Sequence, residues 1–309
     1  MSMRKSAYKK FRIEGDRVQE VGMLLPMFIG FLLFTIYPII WAIRWAWFDY
    51  SGFGTPVFVG FENFVRAFTR DPMFWQSLVN TSYLAFAKLL LEMPLAIILA
   101  VLVNKKIKAA SFFRVIYFMP TVMSVAVVGI IFSIMFSAYN GIINALLQQV
   151  NIISKNVDFF AGRWSSLTVM LFVSLWTTFG INMLYFLMGL QNIPNELYES
   201  ADIDGANTSQ KFIHITLPLL APTMQTVFLL SMLGTMRITD LILVMTNGQP
   251  GGTTEVVMSY VFKYFFQYGD AGSVSQFGYG SALIMIVAVF LAIITAIYFK
   301  VSKKMTQIF

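Results

Sequence analysis

The chain has 309 residues, of which 58% are apolar and only 12% are charged, and its 22 Lys and Arg outnumber its 15 Asp and Glu. Because a soluble domain carries roughly 25% charged residues, this composition excludes an ordinary soluble fold and indicates a chain surrounded by lipid. The absence of cysteine excludes disulfides and thiolate catalysis, and the single histidine, His214, disfavours a histidine-based metal site. The net charge of +7 indicates basic flanks of membrane helices rather than a nucleic-acid partner.

Six apolar stretches follow one another along the chain, and each has the roughly 20 residues that a membrane-spanning helix needs. The first is too long for a cleaved signal peptide, and no small-x-small cleavage site follows it, so we expect it to remain as an anchor. The sequence therefore predicts an all-α, polytopic membrane protein with six transmembrane helices. The predicted spans cover residues 21–45, 78–103, 112–136, 167–190, 217–245 and 278–299.

Lys and Arg are concentrated in alternate connections between the spans. The rich set is Arg4, Lys5, Lys9, Lys10, Arg12, Arg17, Lys105, Lys106, Lys108, Lys211, Lys300, Lys303 and Lys304. The opposite set is Arg66, Arg70, Lys155, Arg163 and Lys263, with Arg44 at the end of a helix. Because basic residues favour the cytoplasmic side, both termini are predicted to be cytoplasmic. The chain then divides into a tail of residues 1–20, a transmembrane domain of residues 21–299 and a second tail of residues 300–309.

Two spans carry charged residues, which are costly at membrane depth and are functional candidates for that reason. Lys88 and Glu92 are four residues apart, so they share one helical face and are predicted to neutralise each other as a structural pair, with a transport role as the alternative. Arg237 and Asp240 lie near the outer end of the fifth span. Two interpretations stay open there: the two side chains pair with each other, or Arg237 meets an anionic substrate.

The connection between the fourth and fifth spans, residues 191–216, has the pattern of a helix, a turn and a second helix. Pro194 suits the first helical turn, and Gly205 can take the positive φ that a helix stop requires. Apolar spacing predicts one stripe through Ile193, Leu197 and Ala201. A second apolar face is predicted at Phe212 and Ile215.

The charges of this hairpin are mostly acidic, with Glu196, Glu199, Asp202 and Asp204 against Lys211. A helix resting on lipid headgroups is one interpretation. Acidic groups are poorly suited to the anionic inner leaflet, however. The pattern therefore favours a protein partner with a basic or polar groove.

The same hairpin resembles the EAA loop of ABC importer permeases. The matching motifs are Glu199-Ser200-Ala201, Asp204-Gly205-Ala206 and Ile215-x-Leu217-Pro218, with Ser200 where the family usually has Ala. Four further motifs resemble carbohydrate-importer permeases of the maltose and glycerol-phosphate type. They are Phe58–Phe64, Asp71-Pro72 with Asn80-Thr81, Arg114–Pro120, and Thr239–Ile242 with Thr246–Glu255, although the family more often has Gly at positions 247 and 249.

The resemblance implies a type I ABC importer permease core in which the hairpin is a coupling helix on an ATP-binding subunit. Glu199 would pair with a basic residue of that subunit, Gly205 would shape the turn, and the small residues would allow close approach. The implied coupling residues are Glu199, Ser200, Ala201, Asp204, Gly205, Ala206, Leu217 and Pro218. The implied partners are a second homologous permease, two ATP-binding subunits, an extracellular solute-binding protein, membrane lipid and a carbohydrate.

The chain is not predicted to be an enzyme, because it contains no G-x-x-x-x-G-K-[ST] motif to hold nucleotide phosphates. The resemblance accordingly implies that ATP and Mg²⁺ bind to the partner subunits and that this chain carries no cofactor. The fourth span carries aromatic and neutral polar residues, and the family's sugar site draws on this span. The candidate pathway residues are Trp176, Thr178, Asn182, Tyr185, Arg237 and Asp240, although helix packing alone explains part of the set.

Two other functions compete with an importer permease. A secondary transporter driven by an ion gradient typically shows inverted repeats and broken helices at mid-membrane, and the sequence indicates neither. A non-transporting membrane scaffold is the third interpretation. The sequence leaves open which sugar is carried, and Arg237 with the outer basic residues only slightly favours an acidic oligosaccharide such as a uronide.

Overall fold

The computed structural model describes residues 19–104, 110–266 and 275–306, with side chains up to residue 302. Four helices within these residues are long and apolar enough to cross a membrane, and they confirm the first, second, fourth and sixth predicted spans. They are Gln19–Trp47, Pro72–Asn104, Arg163–Gln191 and Phe277–Ser302. The basic N-terminal tail, Lys105, Lys106 and Lys108 lie outside the described residues, as do the side chains of Lys303 and Lys304.

The third and fifth predicted spans are broken helices, a feature that the sequence did not indicate. Ala110–Val122 and Val125–Met135 meet at 93°, and Thr208–Leu219 and Ala221–Met236 meet at 64°. The first break follows Pro120, which lies in the 3₁₀ turn Met119–Val122. Pro218 and Pro222 flank the second break. Proline lacks the N–H and has the fixed φ that interrupt a helical ladder, which accounts for both positions.

The fifth predicted span, residues 217–245, also contains a second interruption. Its main helix ends at Met236, and the short helix Asp240–Met245 follows after three non-helical residues. At the other end, the last helix runs through Thr306. The predicted tail of residues 300–309 therefore begins inside a helix, and the third and fifth spans each cross the membrane only if their bent halves are counted together.

Short elements cover the ends of the spans that lie away from residues 191–216, which the distribution of Lys and Arg predicts to be the outer ends. A two-stranded antiparallel sheet pairs Phe48 with Phe58 and Asp49 with Val57. The carboxylate of Asp71 joins several of these elements, because it accepts hydrogen bonds from Tyr260 at 2.8 Å and from Tyr279 at 2.5 Å. The strands are Phe48–Asp49 and Val57–Phe58, and the helices are Glu62–Thr69, Ile142–Gln149, Asp240–Met245 and Val257–Phe265.

The second and fourth spans form the centre of the bundle. Buried side chains from both, including Leu84, Met183 and Phe186, lie in two core clusters together with residues of the third and fifth spans. The first span is peripheral, since none of its most apolar window is buried. Its outer end is held by Asn63, which donates to the carbonyl oxygens of Ala46 and Phe48 at 2.9 and 3.0 Å.

Candidate functional site

The hairpin of residues 191–216, called the coupling hairpin below, consists of two helices around a left-handed glycine. Pro194 precedes the helix Asn195–Ile203 as its N-cap rather than lying in the first turn. Gly205 has φ +74°, a conformation that favours glycine because it has no Cβ. The second helix, Thr208–Lys211, begins with a capping box and continues through the π-helical turn Phe212–Thr216 into Leu217–Leu219.

One side of the coupling hairpin packs against the core. Phe212 and Ile215 contact the cluster that contains Phe186, which confirms the predicted second apolar face. The first predicted stripe is only partly correct, because Leu197 is 42% exposed. Tyr198 takes the inward position instead, with its hydroxyl 2.9 Å from Thr216 Oγ1.

The other side of the coupling hairpin is exposed and acidic. Asp202 pairs with Lys211 at 2.5 Å. Glu199 forms no ion pair within the described part of the chain, so its carboxylate is available to a partner. Ile203 is 88% exposed beside these acids. An apolar tip among acidic groups is a surface suited to a protein partner with a basic rim.

The remaining predicted coupling residues follow from the same backbone. Ser200 donates to the carbonyl oxygen of Glu196 at 2.8 Å. The turn closes where Ala206 N–H donates to the carbonyl oxygen of Ala201 at 2.9 Å. Asp204 and Gly205 are exposed at the tip, whereas Leu217 and Pro218 are half-buried beside the 64° break. The structure therefore gathers these residues at one end of the bundle.

The four pathway candidates on the fourth span do not share one face. Thr178, Asn182 and Tyr185 follow the spacing i, i+4, i+7, and they lie on one side of the helix. Trp176 lies on the opposite side, where its ring packs 5.2 Å from that of Phe132. The structure thus brings three of the four residues together and assigns the tryptophan to an aromatic core cluster.

Arg237 and Asp240 lie at the interruption between Ala221–Met236 and Asp240–Met245. Both side chains are exposed, and no ion pair within 4.0 Å joins them in the described structure. Of the two interpretations left open by the sequence, the pairing of Arg237 with Asp240 is therefore not observed. Both charges are therefore exposed to a ligand or a partner.

Lys88 and Glu92 are buried, but they do not form the predicted ion pair with each other within the described residues. Glu92 accepts hydrogen bonds from the hydroxyls of Thr178 and Ser231. Lys88 donates to Thr235 Oγ1 at 3.2 Å. Their shared helical face meets hydroxyls of the fourth and fifth spans, and these hydroxyls are the hydrogen-bond partners of both side chains. Sequence reasoning found the charges but missed their partners, which no local spacing could reveal.

A second polar contact joins motifs that are far apart in the chain. Asn80 Nδ2 donates to the carbonyl oxygens of Thr253 and Glu255 at 2.9 and 2.6 Å. Arg163 Nε in turn donates to Asn80 Oδ1 at 2.8 Å. The side chain of Asn80 is fully buried. It therefore fixes the outer loop of residues 246–256 to the outer ends of the second and fourth spans.

Residues 92–307 match the family described as "Binding-protein-dependent transport system inner membrane component". The chain is 33% identical over 280 residues to an arabinooligosaccharides transport system permease protein of Bacillus subtilis, covering 90% of this chain and 86% of the relative. It is 29% identical to a sulfoquinovosyl glycerol transport system permease protein of Agrobacterium fabrum, covering 94% of this chain and 92% of the relative.

The fold is also similar to that of a chain in the crystal structure of a bacterial ABC transporter involved in the import of the acidic polysaccharide alginate. The TM-score is 0.80, the sequence identity is 24%, and the match covers 96% of this chain and 98% of the other. The bent third and fifth spans lie within this match, so they belong to a fold that a solved transporter shares.

Proposed function

This chain belongs to the binding-protein-dependent transport system inner membrane components, and from that membership we propose that it is the permease subunit of an ATP-driven carbohydrate importer. It forms the translocation pathway with a second, homologous permease. Two ATP-binding subunits supply the energy, so ATP and Mg²⁺ bind to those subunits and this chain carries no cofactor. The protein is not an enzyme; its part of the reaction is to open alternately to the two sides of the membrane.

The observation that carries this proposal is the exposed acidic face of the coupling hairpin. Glu199 has no ion-pair partner in the described chain, and the turn at Gly205 presents Ile203 at 88% exposure. The hairpin docks into a cleft of an ATP-binding subunit, where Glu199 meets a basic residue. A charged group at an interface favours one partner and disfavours others, which suits a contact that must form with a single type of subunit.

The proposed substrate is an oligosaccharide rather than a single sugar ring, as in the name of the arabinooligosaccharide permease to which this chain is similar. Thr178, Asn182 and Tyr185 share a face of the fourth span. The Thr178 hydroxyl already donates to Glu92, so the Asn182 amide and the Tyr185 phenol are the groups offered to sugar hydroxyls. Arg237 and Asp240 are exposed near the outer end of the fifth span and form the outer part of the pathway. Trp176 is excluded from the proposed pathway, because its ring packs on that of Phe132.

The proposed location is the cytoplasmic membrane with both termini in the cytoplasm. The distribution of Lys and Arg supports this orientation, and it places the coupling hairpin on the side where ATP-binding subunits occur. A solute-binding protein delivers the sugar at the opposite face. This chain is similar in fold to a chain of a bacterial alginate ABC transporter. That transporter was crystallised in complex with an alginate pentasaccharide-bound periplasmic protein.

Uptake into proteoliposomes tests the proposal. The complete complex is reconstituted, and import of an arabino-oligosaccharide panel is measured with ATP on the ATPase side or with an imposed proton or sodium gradient. We expect import with ATP alone. Glu199→Lys should abolish ATPase binding, because it places like charges together, whereas Glu62→Lys on an exposed outer helix should not. Import driven by an ion gradient without ATP would instead establish a secondary transporter.

A further inference from the structure

Glu92 joins three membrane spans through a single side chain. It lies in Pro72–Asn104 and is 0% exposed. Its Oε1 accepts a hydrogen bond from Thr178 of the fourth span, and its Oε2 accepts one from Ser231 of the fifth. Hydrogen bonds to a carboxylate are stronger than neutral ones, and the low dielectric of the interior strengthens them further. The two helices are therefore held to the same point of the second span.

The two helices tied by Glu92 are the ones that enter and leave the coupling hairpin. The fourth span ends at Gln191, and at 1.5 Å per residue Thr178 lies about 20 Å from that end along the helix. Ser231 lies about 15 Å from Ala221, where the main helix of the fifth span begins. Glu92 therefore links the helix that precedes the coupling hairpin to the helix that follows it.

Lys88 adds a second contact one helical turn away. It is 4% exposed and donates to Thr235 Oγ1 at 3.2 Å. Thr235 donates in turn to the carbonyl oxygen of Ser231 at 2.8 Å. Two successive turns of the second span therefore hold two successive turns of the fifth. Buried charges of this kind are costly in a membrane, which makes a functional reason for them the default expectation.

We propose that Glu92 is a positioning residue for energy coupling, which makes the fourth and fifth spans move together when an ATPase subunit displaces the coupling hairpin. This inference rests on the proposed function. The fifth span is bent by 64° between Thr208–Leu219 and Ala221–Met236. Without the contact at Glu92, movement of the hairpin is absorbed at this bend and does not reach the pathway. ATP is then hydrolysed without import.

Two double variants separate the hydrogen-bonded bridge from the charges. Lys88→Met with Glu92→Gln removes both charges but keeps an acceptor and a donor for the two hydroxyls. Lys88→Met with Glu92→Leu removes the same charges and the bridge, at similar side-chain volume. Each is reconstituted with the partner permease, the ATPase subunits and the binding protein, and the ATP hydrolysed per arabino-oligosaccharide imported is measured.

We expect the Gln variant to hydrolyse about as much ATP per imported sugar as the wild type does. The Leu variant should raise this ratio by about five-fold or more, the lower end of ordinary coupling between sites. A residue with only a structural role would lower ATP hydrolysis and import in proportion, and an unchanged ratio in the Leu variant would overturn the inference. If the wild-type complex shows no ATP-driven import, the proposed function fails instead.

Single variants decide the question if the Leu variant does not assemble. Thr178→Val and Ser231→Ala each remove one of the two hydrogen bonds and leave Glu92 in place, so each should raise the ratio. Thr168→Val and Thr226→Val are the controls, because these exposed hydroxyls donate only to their own helices, at 2.8 and 3.1 Å. Equal ratios in the test and control variants would contradict the proposal.

Discussion

The main chain of Gly180 lies directly against the carbonyl group of Tyr117. A Cβ atom at position 180 would be 1.9 Å from that carbonyl oxygen, a distance that no pair of non-bonded heavy atoms adopts. Only glycine allows the fourth span to approach the helix Ala110–Phe118 this closely. The crossing lies just before the 93° break of the third span. It therefore fixes the position of the first half of that span against the fourth span.

Gly180→Ala should therefore destabilise the protein. Inserting a methyl group into a packed interior typically costs about 1–3 kcal/mol, and here the obstacle is backbone that cannot rotate away. Gly234→Ala is the control, because a Cβ at that helical position meets nothing within 4 Å. Thermal unfolding of the purified complex in detergent measures both. Equal midpoints for the two variants would contradict the close helix crossing.

Gly205→Ala should weaken coupling to the ATPase subunits. Its φ of +74° is costly for any residue with a Cβ, by about 1–2 kcal/mol, so the coupling hairpin would change shape at its tip. Gly54→Ala is the control, because it imposes the same backbone strain at φ +81° in an outer loop. A Cβ atom at either glycine meets nothing within 4 Å. Substrate-stimulated ATP hydrolysis should fall in the first variant only. A similar fall in both would show that strain, rather than the hairpin, was responsible.

Asn80→Ala should loosen the outer loop. The change removes the donor to the carbonyl oxygens of Thr253 and Glu255. The Thr253 carbonyl keeps the Gln76 amide as a donor, but the loss of this donor at the buried Glu255 carbonyl costs about 1–3 kcal/mol. Gln76→Ala is a milder comparison, because its amide donates to the Thr253 carbonyl oxygen alone, at 3.2 Å. Limited proteolysis of the 246–256 loop should be faster in the Asn80 variant. Equal cleavage rates would show that Asn80 does not hold the loop.

Alkaline pH should loosen the outer helix Val257–Phe265. Burial raises the pKa of Tyr260 above its ordinary value of 10.0, and burial also raises the pKa of Tyr264. The unfolded chain therefore loses these protons first, so the stabilisation is complete below pH 10 and is lost as the pH rises beyond it. Each tyrosine contributes a slope of up to about 1.4 kcal/mol per pH unit.

Tyr260→Phe tests this dependence. The variant is less stable at pH 8, because it loses the hydrogen bond to Asp71, but it has one proton fewer to lose. Its unfolding free energy, measured by denaturant titration in detergent between pH 8 and pH 11, should fall less steeply than that of the wild type. Parallel pH profiles would show that Tyr260 does not contribute to the alkaline loss of stability.

Local sequence was sufficient to predict the elements that depend on local physics. Long apolar runs predicted the four continuous spans, since backbone groups in lipid must be satisfied within each helix. The coupling hairpin was predicted from Gly205 and the apolar pair Phe212 and Ile215, because turn geometry and helical spacing act over a few residues. Its motifs also carried the resemblance to the family that the comparisons confirm.

Tertiary structure decided which side chains meet across the spans. Helical spacing places Lys88 and Glu92 on one face, but it does not identify what faces them, and the hydroxyls of Thr178 and Ser231 proved to be the partners of Glu92. The same limit applies to Trp176, which points to Phe132 and away from the other pathway candidates. Periodicity defines a face within one helix, whereas the neighbour of that face depends on how all the helices pack together.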